Sequence, residues 1–358
     1  MKNNTKYAAI YSYILDYIKE KGLKNGDKLP TESQLSEQFN ASRVTVRRAI
    51  KELSDRNIVF KVQGGGTYVG TSNTPKTSSN INIVPFVICG NVNSFSQMVQ
   101  GAENYLSQHG CYLTVHCSND NYLNERNIIN NLVEKNTRNL IVLPCDANKN
   151  VQFYFQLMKK GVNIVFVDLI PNGLNGHYVS SNNQMGGYQA TKHLISKGYR
   201  KIAVLGDVVS RYNTVSDRIT GYLLALKEAG ITPRKEYMPN LVNVCAEIPG
   251  VVQSLMESDD PPDAFFGAND IIAVNIFIAM QRFGYRVPQD AAIIGFDNLD
   301  MSVMQSVPLS TVAQNFMEIG RSAASMCLEM SSMPANTYIR KMIPVTIIER
   351  MSTQVLPK

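Results

Sequence analysis

The chain of 358 residues has no tryptophan, only four histidines, and charge on 18% of its side chains. Without tryptophan, any stacking on a bound ring falls to Phe or Tyr. No stretch approaches the roughly 18 consecutive apolar residues that a membrane helix needs. The polar start, residues 1–6, has no apolar core or small-residue cleavage site, so no secretory signal is read there and the expected location is the cytoplasm. Cys89, Cys111, Cys117, Cys145, Cys245 and Cys327 form no Cys-x-x-Cys pair, and several lie inside apolar runs. They read as buried thiols, not as disulfides or ligands. His109, His116, His177 and His193 have no metal-ligand spacing, so neither a metal nor a cofactor is expected. A nucleophile elbow and paired catalytic carboxylates are also missing, which argues against an enzyme.

What remains is an ordinary globular composition, 44% hydrophobic, at a length that suggests two or three domains. The net charge of +6 is unevenly placed, since residues 1–70 hold 12 Lys and Arg against 7 Asp and Glu. A small basic module on a nearly neutral body is the footprint of a nucleic-acid-binding head, although many solvated faces carry a similar excess. Residues 71–80 (TSNTPKTSSN) cannot bury apolar surface and read as a linker. Beyond it, over residues 81–350, short apolar runs such as Leu140-Ile141-Val142-Leu143 and Ile164-Val165-Phe166-Val167 alternate with amphipathic stretches. That alternation indicates parallel sheets with helices on both faces. A run of this length is more than one sheet usually carries, so two α/β lobes with a cleft between them are expected.

In the head, residues 7–20 fit a first helix with Ile10, Ile14, Leu15 and Ile18 on one face. Thr31 is placed to cap a second helix over 32–39, and Ser42 a third over 43–56. Two helices joined by so short a turn make a helix-turn-helix, whose second member presents its first residues to the major groove. Arg43, Thr45, Arg47 and Arg48 crowd that start, with Val44, Ile50 and Leu53 expected to face inward. Cations there oppose the helix dipole, an arrangement that a phosphate backbone would compensate. Residues 58–62 and 67–69 then read as strands around Gln63-Gly64-Gly65-Gly66, a β-hairpin wing. The glycines are followed by no helix and no Lys-Ser/Thr pair, so they do not read as a nucleotide loop. They allow the backbone to approach a minor groove closely.

The order Leu29-Pro30-Thr31-Glu32-Ser33-Gln34-Leu35, Ser42-Arg43-Val44-Thr45-Val46-Arg47-Arg48-Ala49-Ile50 and Val62-Gln63-Gly64-Gly65-Gly66-Thr67-Tyr68-Val69 resembles the winged helix of the gluconate-repressor (GntR) family. The resemblance covers about residues 5–70. It implies that Arg43 reads base edges or phosphates, that Thr45 and Arg47 occupy contact positions, and that Gln63 and Gly64, with Gly65, form the wing tip. Thr31 becomes a phosphate contact, and Ser42 and Arg48 belong to the same DNA-facing set.

Polar groups stand at the ends of the body's apolar runs. Asp168 follows one, Gly267-Ala268-Asn269-Asp270 another and Gly295-Phe296-Asp297-Asn298 a third, while Ser216-Asp217-Arg218-Ile219-Thr220-Gly221-Tyr222 opens a helix. Any one of them is equally well a strand-end turn or helix cap; together they mark a cleft, because open α/β sheets bind ligands beyond the carboxyl ends of their strands. These groups, with residues 179–205 and Val287-Pro288-Gln289-Asp290, resemble the lac-repressor (LacI) and periplasmic-binding-protein type of effector domain over about residues 81–350. The resemblance implies Rossmann-like lobes and a sugar or nucleobase between them. It gives Arg218, Asn269 and Asp297 as the strongest ligand contacts, then Asp168 and Gln314, then Ser94, Phe95 and Gln97, although residues 90–94 depart from the usual pattern.

A GntR-type head on such a body is similar to the arabinose-repressor (AraR) type of regulator. The implied function is a homodimeric repressor of double-stranded operator DNA, released by a small molecule. Acid-rich contacts with a single Arg favour a neutral polyhydroxyl ligand over a phosphosugar, and a pentose such as arabinose is the choice the resemblance offers. Phe95 and Phe296 are the candidates for ring stacking. The linker has no counterpart of the lac-type hinge helix. A sugar-binding component of a transport or sensing system is the alternative the body alone would allow; the basic head and the absence of a signal speak against it.

Overall fold

A computed structural model describes residues 2–56, 58–62, 65–70, 82–90, 92–206, 213–241, 243–330 and 337–354. The chain divides into two compact units, Met1–Ile81 and Asn82–Lys358. The expected linker, residues 71–80, lies outside the described residues, as do Gln63 and Gly64.

The first unit holds helices α1 (Lys2–Glu20), α2 (Glu32–Gln38) and α3 (Arg43–Asp55), then strands β1 (Val59–Val62) and β2 (Gly66–Val69) paired antiparallel. Ile10 and Ile14 from α1 meet Leu35, Val46, Ala49, Ile50, Leu53, Val59 and Val69 in one core. The expectation for Val44 fails: it is 75% exposed. A stripe recurring every three to four residues from Val46 through Ala49, Ile50 and Leu53 already fills the inner face, and Val44 falls on the opposite side.

The second unit carries two sheets. The six-stranded one runs β12 (Arg340–Ile343), β7 (His177–Ser181), β6 (Asn163–Val167), β5 (Asn139–Val142), β3 (Asn82–Ile88), β4 (Cys111–Cys117), all parallel. One face packs on α4 (Ser96–Gln108) and α12 (Phe316–Glu329), the other on α5 (Tyr122–Glu134) and α6 (Val151–Lys159), which gives this lobe two cores. The five-stranded sheet runs β13 (Thr346–Ile348), β11 (Ser310–Ala313), β10 (Ala292–Asp297), β9 (Ala264–Gly267), β8 (Ile202–Leu205), with β13 alone antiparallel. Its helices are α7 (Asn183–Ser196), α8 (Asn213–Glu228), α9 (Val244–Met256), α10 (Asp270–Arg282) and α11 (Asp300–Val303). Strands buried on both faces read as continuous apolar runs. Four strands, β7, β11, β12 and β13, escaped sequence reading, and the first two did so because they break that rule. All five residues of β7, His-Tyr-Val-Ser-Ser, are buried, as are Ser310 and Thr311 of β11. Three of their four Ser and Thr hydroxyls have partners inside, Ser181 Oγ having none among the described residues: Ser180 Oγ donates to the Asp168 carbonyl at 3.3 Å, Thr311 Oγ1 to Asp270 Oδ1 at 2.7 Å, and Ser310 Oγ to the Arg350 carbonyl at 3.1 Å.

The chain crosses between the lobes three times: from β7 into α7, from β11 into α12, and from β12 into β13. The expected helix over 95–109 begins as a 3-10 turn, Val92–Phe95, before α4 proper.

Candidate DNA-binding face and effector cleft

Each helix of the helix-turn-helix is fixed by its cap. Thr31 Oγ1 accepts from Gln34 N at 3.2 Å, and Gln34 Oε1 accepts from Thr31 N at 2.8 Å, a reciprocal capping box. Ser42 Oγ accepts from Thr45 N at 3.2 Å and lies 2.9 Å from Thr45 Oγ1. Thr31, Ser42 and Thr45 therefore build the frame of the motif as well as standing on its surface. Arg43 and Arg47, one turn apart, share an exposed face of α3. Arg48 turns the other way, its guanidinium carbon 5.2 Å from the centre of the Tyr7 ring of α1. Arg47 Nε is held 2.8 Å from Glu32 Oε2, and Lys61 of the wing pairs with the same carboxylate. Burial pushes the Glu32 carboxyl up, but hydrogen bonds from Lys61 and Arg47 outweigh it and leave the group below its usual range. Gly65 follows β1 at the wing tip, its carbonyl accepting from Tyr68 Oη at 3.0 Å. Glu32, Lys61 and exposed Val44 are additions that local patterning did not supply, since each depends on which face packs inward.

In the body, Asp168, Asn269 and Asp297 stand at the carboxyl ends of β6, β9 and β10. Asp168 and Asp297 adopt φ of 58° and 113°, and Asn298 57°, left-handed conformations that cost energy in residues with a Cβ and gather at functional sites. Arg218 is buried. Its Nε donates to Asn183 Oδ1 at 2.9 Å and its Nη1 to the Ala268 carbonyl at 2.7 Å, while Nη1 lies 3.3 Å from Asp297 Oδ1. The guanidinium also covers the Phe296 ring at 3.8 Å. Phe296, wholly buried beneath Arg218, is thus occupied and is no stacking surface, contrary to expectation. Asn183, itself buried, was not singled out from the sequence; its Nδ2 is spent on Ser180 Oγ and the Ser181 carbonyl, so its orientation fixes that of Arg218. Asn269 is partly committed as well: its Oδ1 caps α10 by accepting from Ile272 N at 2.8 Å.

Gln314 Nε2 donates to Asp297 Oδ1 at 2.6 Å. These two residues, with Phe95, Gln97 and Phe316, line a cavity of 180 Å³ at the mouth of the cleft. Ser94 lies in the preceding 3-10 turn, its side chain outside the described set. The cavity brings four of the eight expected ligand residues together; Arg218, Asp168 and Asn269 are not in its lining. Burial pushes the Asp297 carboxyl up to about 7 despite the Arg218 charge, and burial likewise raises Asp168. Oδ1 of Asp168 and Oε1 of Gln314 are buried without a hydrogen-bond partner among the described residues. The site therefore presents acceptors and a single guanidinium whose Nε and Nη1 are already engaged.

A basic winged helix together with a two-lobed body whose polar groups converge at strand ends defines a ligand-responsive DNA-binding protein. Residues 6–69 match the bacterial regulatory proteins of the gntR family, and residues 191–353 the periplasmic binding protein-like domain. An arabinose metabolism transcriptional repressor of Halalkalibacterium halodurans is 25% identical over 338 residues, 89% of each chain. The HTH-type transcriptional repressor PurR of Aliivibrio salmonicida is 32% identical over 237 residues, 66% of this chain and 70% of that one. Among solved structures, a transcriptional regulator CelR–cellobiose complex superposes with a TM-score of 0.67 at 22% identity, covering 87% of this chain and 90% of the other. A LacI family regulator of Enterococcus faecium with bound ribose gives 0.64 at 22% identity, covering 76% and 100%. The chain belongs to the bacterial helix-turn-helix transcriptional repressors, with a gntR-family head and a periplasmic-binding-protein-like effector body.

Proposed function

We propose that the protein is a cytoplasmic, homodimeric repressor that leaves its operator when a small neutral sugar enters the cleft. Residues 1–70 form the DNA-binding head, 71–80 the linker and 81–350 the effector and dimerisation body. Arg43, Thr45 and Arg47 reach base edges or phosphates, Thr31 and Ser42 support the backbone contacts, Arg48 contributes only by leaving its place on Tyr7, and the wing tip at Gln63, Gly64 and Gly65 enters the minor groove. Exposed Val44 beside Arg43 suits an apolar contact with a thymine methyl. Paired heads address half-sites about one or two helical turns apart.

The observation that carries the effector reading is the surplus of acceptors: Asp168, Asp297 and Gln314 around one Arg218. A phosphosugar or carboxylate would face two carboxyls and find little free cation, whereas hydroxyls donate to every one of these oxygens. A cavity of 180 Å³ lies below the roughly 300–1,000 Å³ of drug-sized pockets and suits a monosaccharide, with half-buried Phe95 as its stacking wall. Relatives named for arabinose metabolism make arabinose the first pentose to try. A transport component would have no use for a gntR-type head, so that alternative is set aside.

The test is a mobility shift on the chain's own upstream DNA at fixed salt, across neutral sugars and phosphosugars. Salt is fixed because phosphate contacts make affinity steeply salt-dependent. Release by one neutral sugar is the expected result. Release by a phosphosugar alone, or no DNA binding at all, would overturn the reading. Within the same assay Arg218→Ala should lose the sugar response and retain the DNA shift.

A further inference from the structure

Asn213 opens α8 of the second lobe, five residues before Arg218, yet its side chain reaches the first lobe. Its Nδ2 donates to the Ile170 carbonyl at 3.0 Å, in the segment that leaves β6 through Asp168. The orientation of the amide is fixed chemically, because only the amino end can face a carbonyl oxygen without repulsion. The other end, Oδ1, is buried and has no hydrogen-bond partner among the described residues. Oδ1 of Asp168, two residues before the gripped carbonyl, is in the same condition, and so is Oε1 of Gln314 at the crossing into α12. Buried polar atoms are rarely left unpaired without a use, and these three share one deficiency, a missing donor.

We propose that Asn213 is a lobe-bridging specificity residue: Nδ2 holds the 168–170 segment of the first lobe while Oδ1 accepts a hydrogen bond from a hydroxyl of the effector. One side chain then both binds the ligand and ties the lobes, so filling the cleft strengthens the contact that keeps it closed. A small amide suits this because its two ends are polar in opposite senses and rigidly joined. The assignment rests on the neutral-sugar reading for its acceptor half only; the bridge to Ile170 stands apart from any ligand.

Two arms on the full-length chain separate these halves, using Asn213→Leu, which is near-isosteric and removes both ends, and Asn213→Asp, which keeps an acceptor and removes the donor. The first arm is amide hydrogen exchange of peptides spanning 168–174 without sugar. Both variants are expected to exchange there several-fold faster than wild type, with the rest of the body unchanged. Exchange equal to wild type in both variants would overturn the bridge. The second arm is calorimetric titration with L-arabinose and D-ribose. For whichever sugar binds, Asn213→Leu should lose about ten-fold or more in affinity and Asn213→Asp distinctly less. Equal affinities across the three proteins would overturn the acceptor role. A wild type that takes neither sugar overturns the sugar reading and the acceptor half with it, and the exchange arm still decides the bridge. Should the Leu variant be poorly folded by thermal melt, Asn213→Ala, which also removes both ends, takes its place in both arms.

Discussion

Asp297 and Glu32 do opposite things with a carboxylate. Asp297 is buried against one guanidinium that also serves Asn183 and the Ala268 carbonyl, and its proton leaves only at about 7. A folded-state value above the unfolded one means that the folded chain binds the proton more tightly. This group's contribution to stability is thus full below the unfolded value near 4 and declines as pH rises through about 7. Denaturant unfolding at pH 5 and pH 8 should show Asp297→Asn gaining relative to wild type at the higher pH; a constant difference would contradict it. Because hydroxyls donate best to the ionised form, sugar affinity should climb over the same interval. Glu32 works at the surface, neutralising Arg47 and Lys61 together. Glu32→Gln frees two cations on the proposed DNA face, and the logarithmic salt slope of operator binding should steepen by about one per cation that reaches a phosphate. Arg47→Ala should weaken operator binding by about 1–3 kcal/mol, read as a shift in Kd at fixed salt, and leave sugar binding alone.

Among helices, the decisive contacts are between backbones. Gly187 of α7 lies where an added Cβ would meet the Arg218 carbonyl oxygen at 2.0 Å, and a Cβ on Gly221 of α8 would meet that of Gln184 at 2.0 Å. The two helices touch because each offers a glycine to the other. Arg218 is carried to Asn183 and Asp297 by that contact. Gly187→Ala is expected to cost about 1–3 kcal/mol of stability by overpacking and to weaken the sugar response further by displacing Arg218. Gly250, in α9 with nothing within 4 Å of its absent Cβ, is the contrast. There alanine should be neutral or stabilising by up to about 1 kcal/mol, since it restricts the unfolded chain and favours helix. Urea denaturation of both variants checks the pair.

For the molecule as a whole, three chain crossings and the side chains near them join the lobes, and the effector can act only by binding one lobe arrangement more tightly than another. A coupling of about 1–3 kcal/mol, typical of such linkage, corresponds to roughly 5–150-fold weaker operator binding at saturating sugar. By reciprocity, operator DNA should weaken sugar binding by the same factor, which titration of the sugar with and without DNA measures directly. Unequal factors would show that release has another cause.

Much of this was legible from residue order alone. Capping residues at Thr31 and Ser42, cations at the start of α3, a glycine wing and the polar linker mark a DNA-binding head because each is a local signal. Seven of the body's strands, β3 to β6 and β8 to β10, announced themselves as apolar runs, and the polar groups following β6, β9 and β10 marked the cleft. The sequence could not show that β7 and β11 are strands, because Ser180, Ser310 and Thr311 satisfy their hydroxyls with atoms distant in the chain. Nor did it reveal that Val44 faces outward, that Phe296 is covered, or that Asn183 and Asn213 serve the cleft. Local chemistry decided which segments form elements and which groups are polar; tertiary packing alone decided which side each group faces and whose hydrogen bond it takes, because those depend on neighbours the chain reaches only after folding.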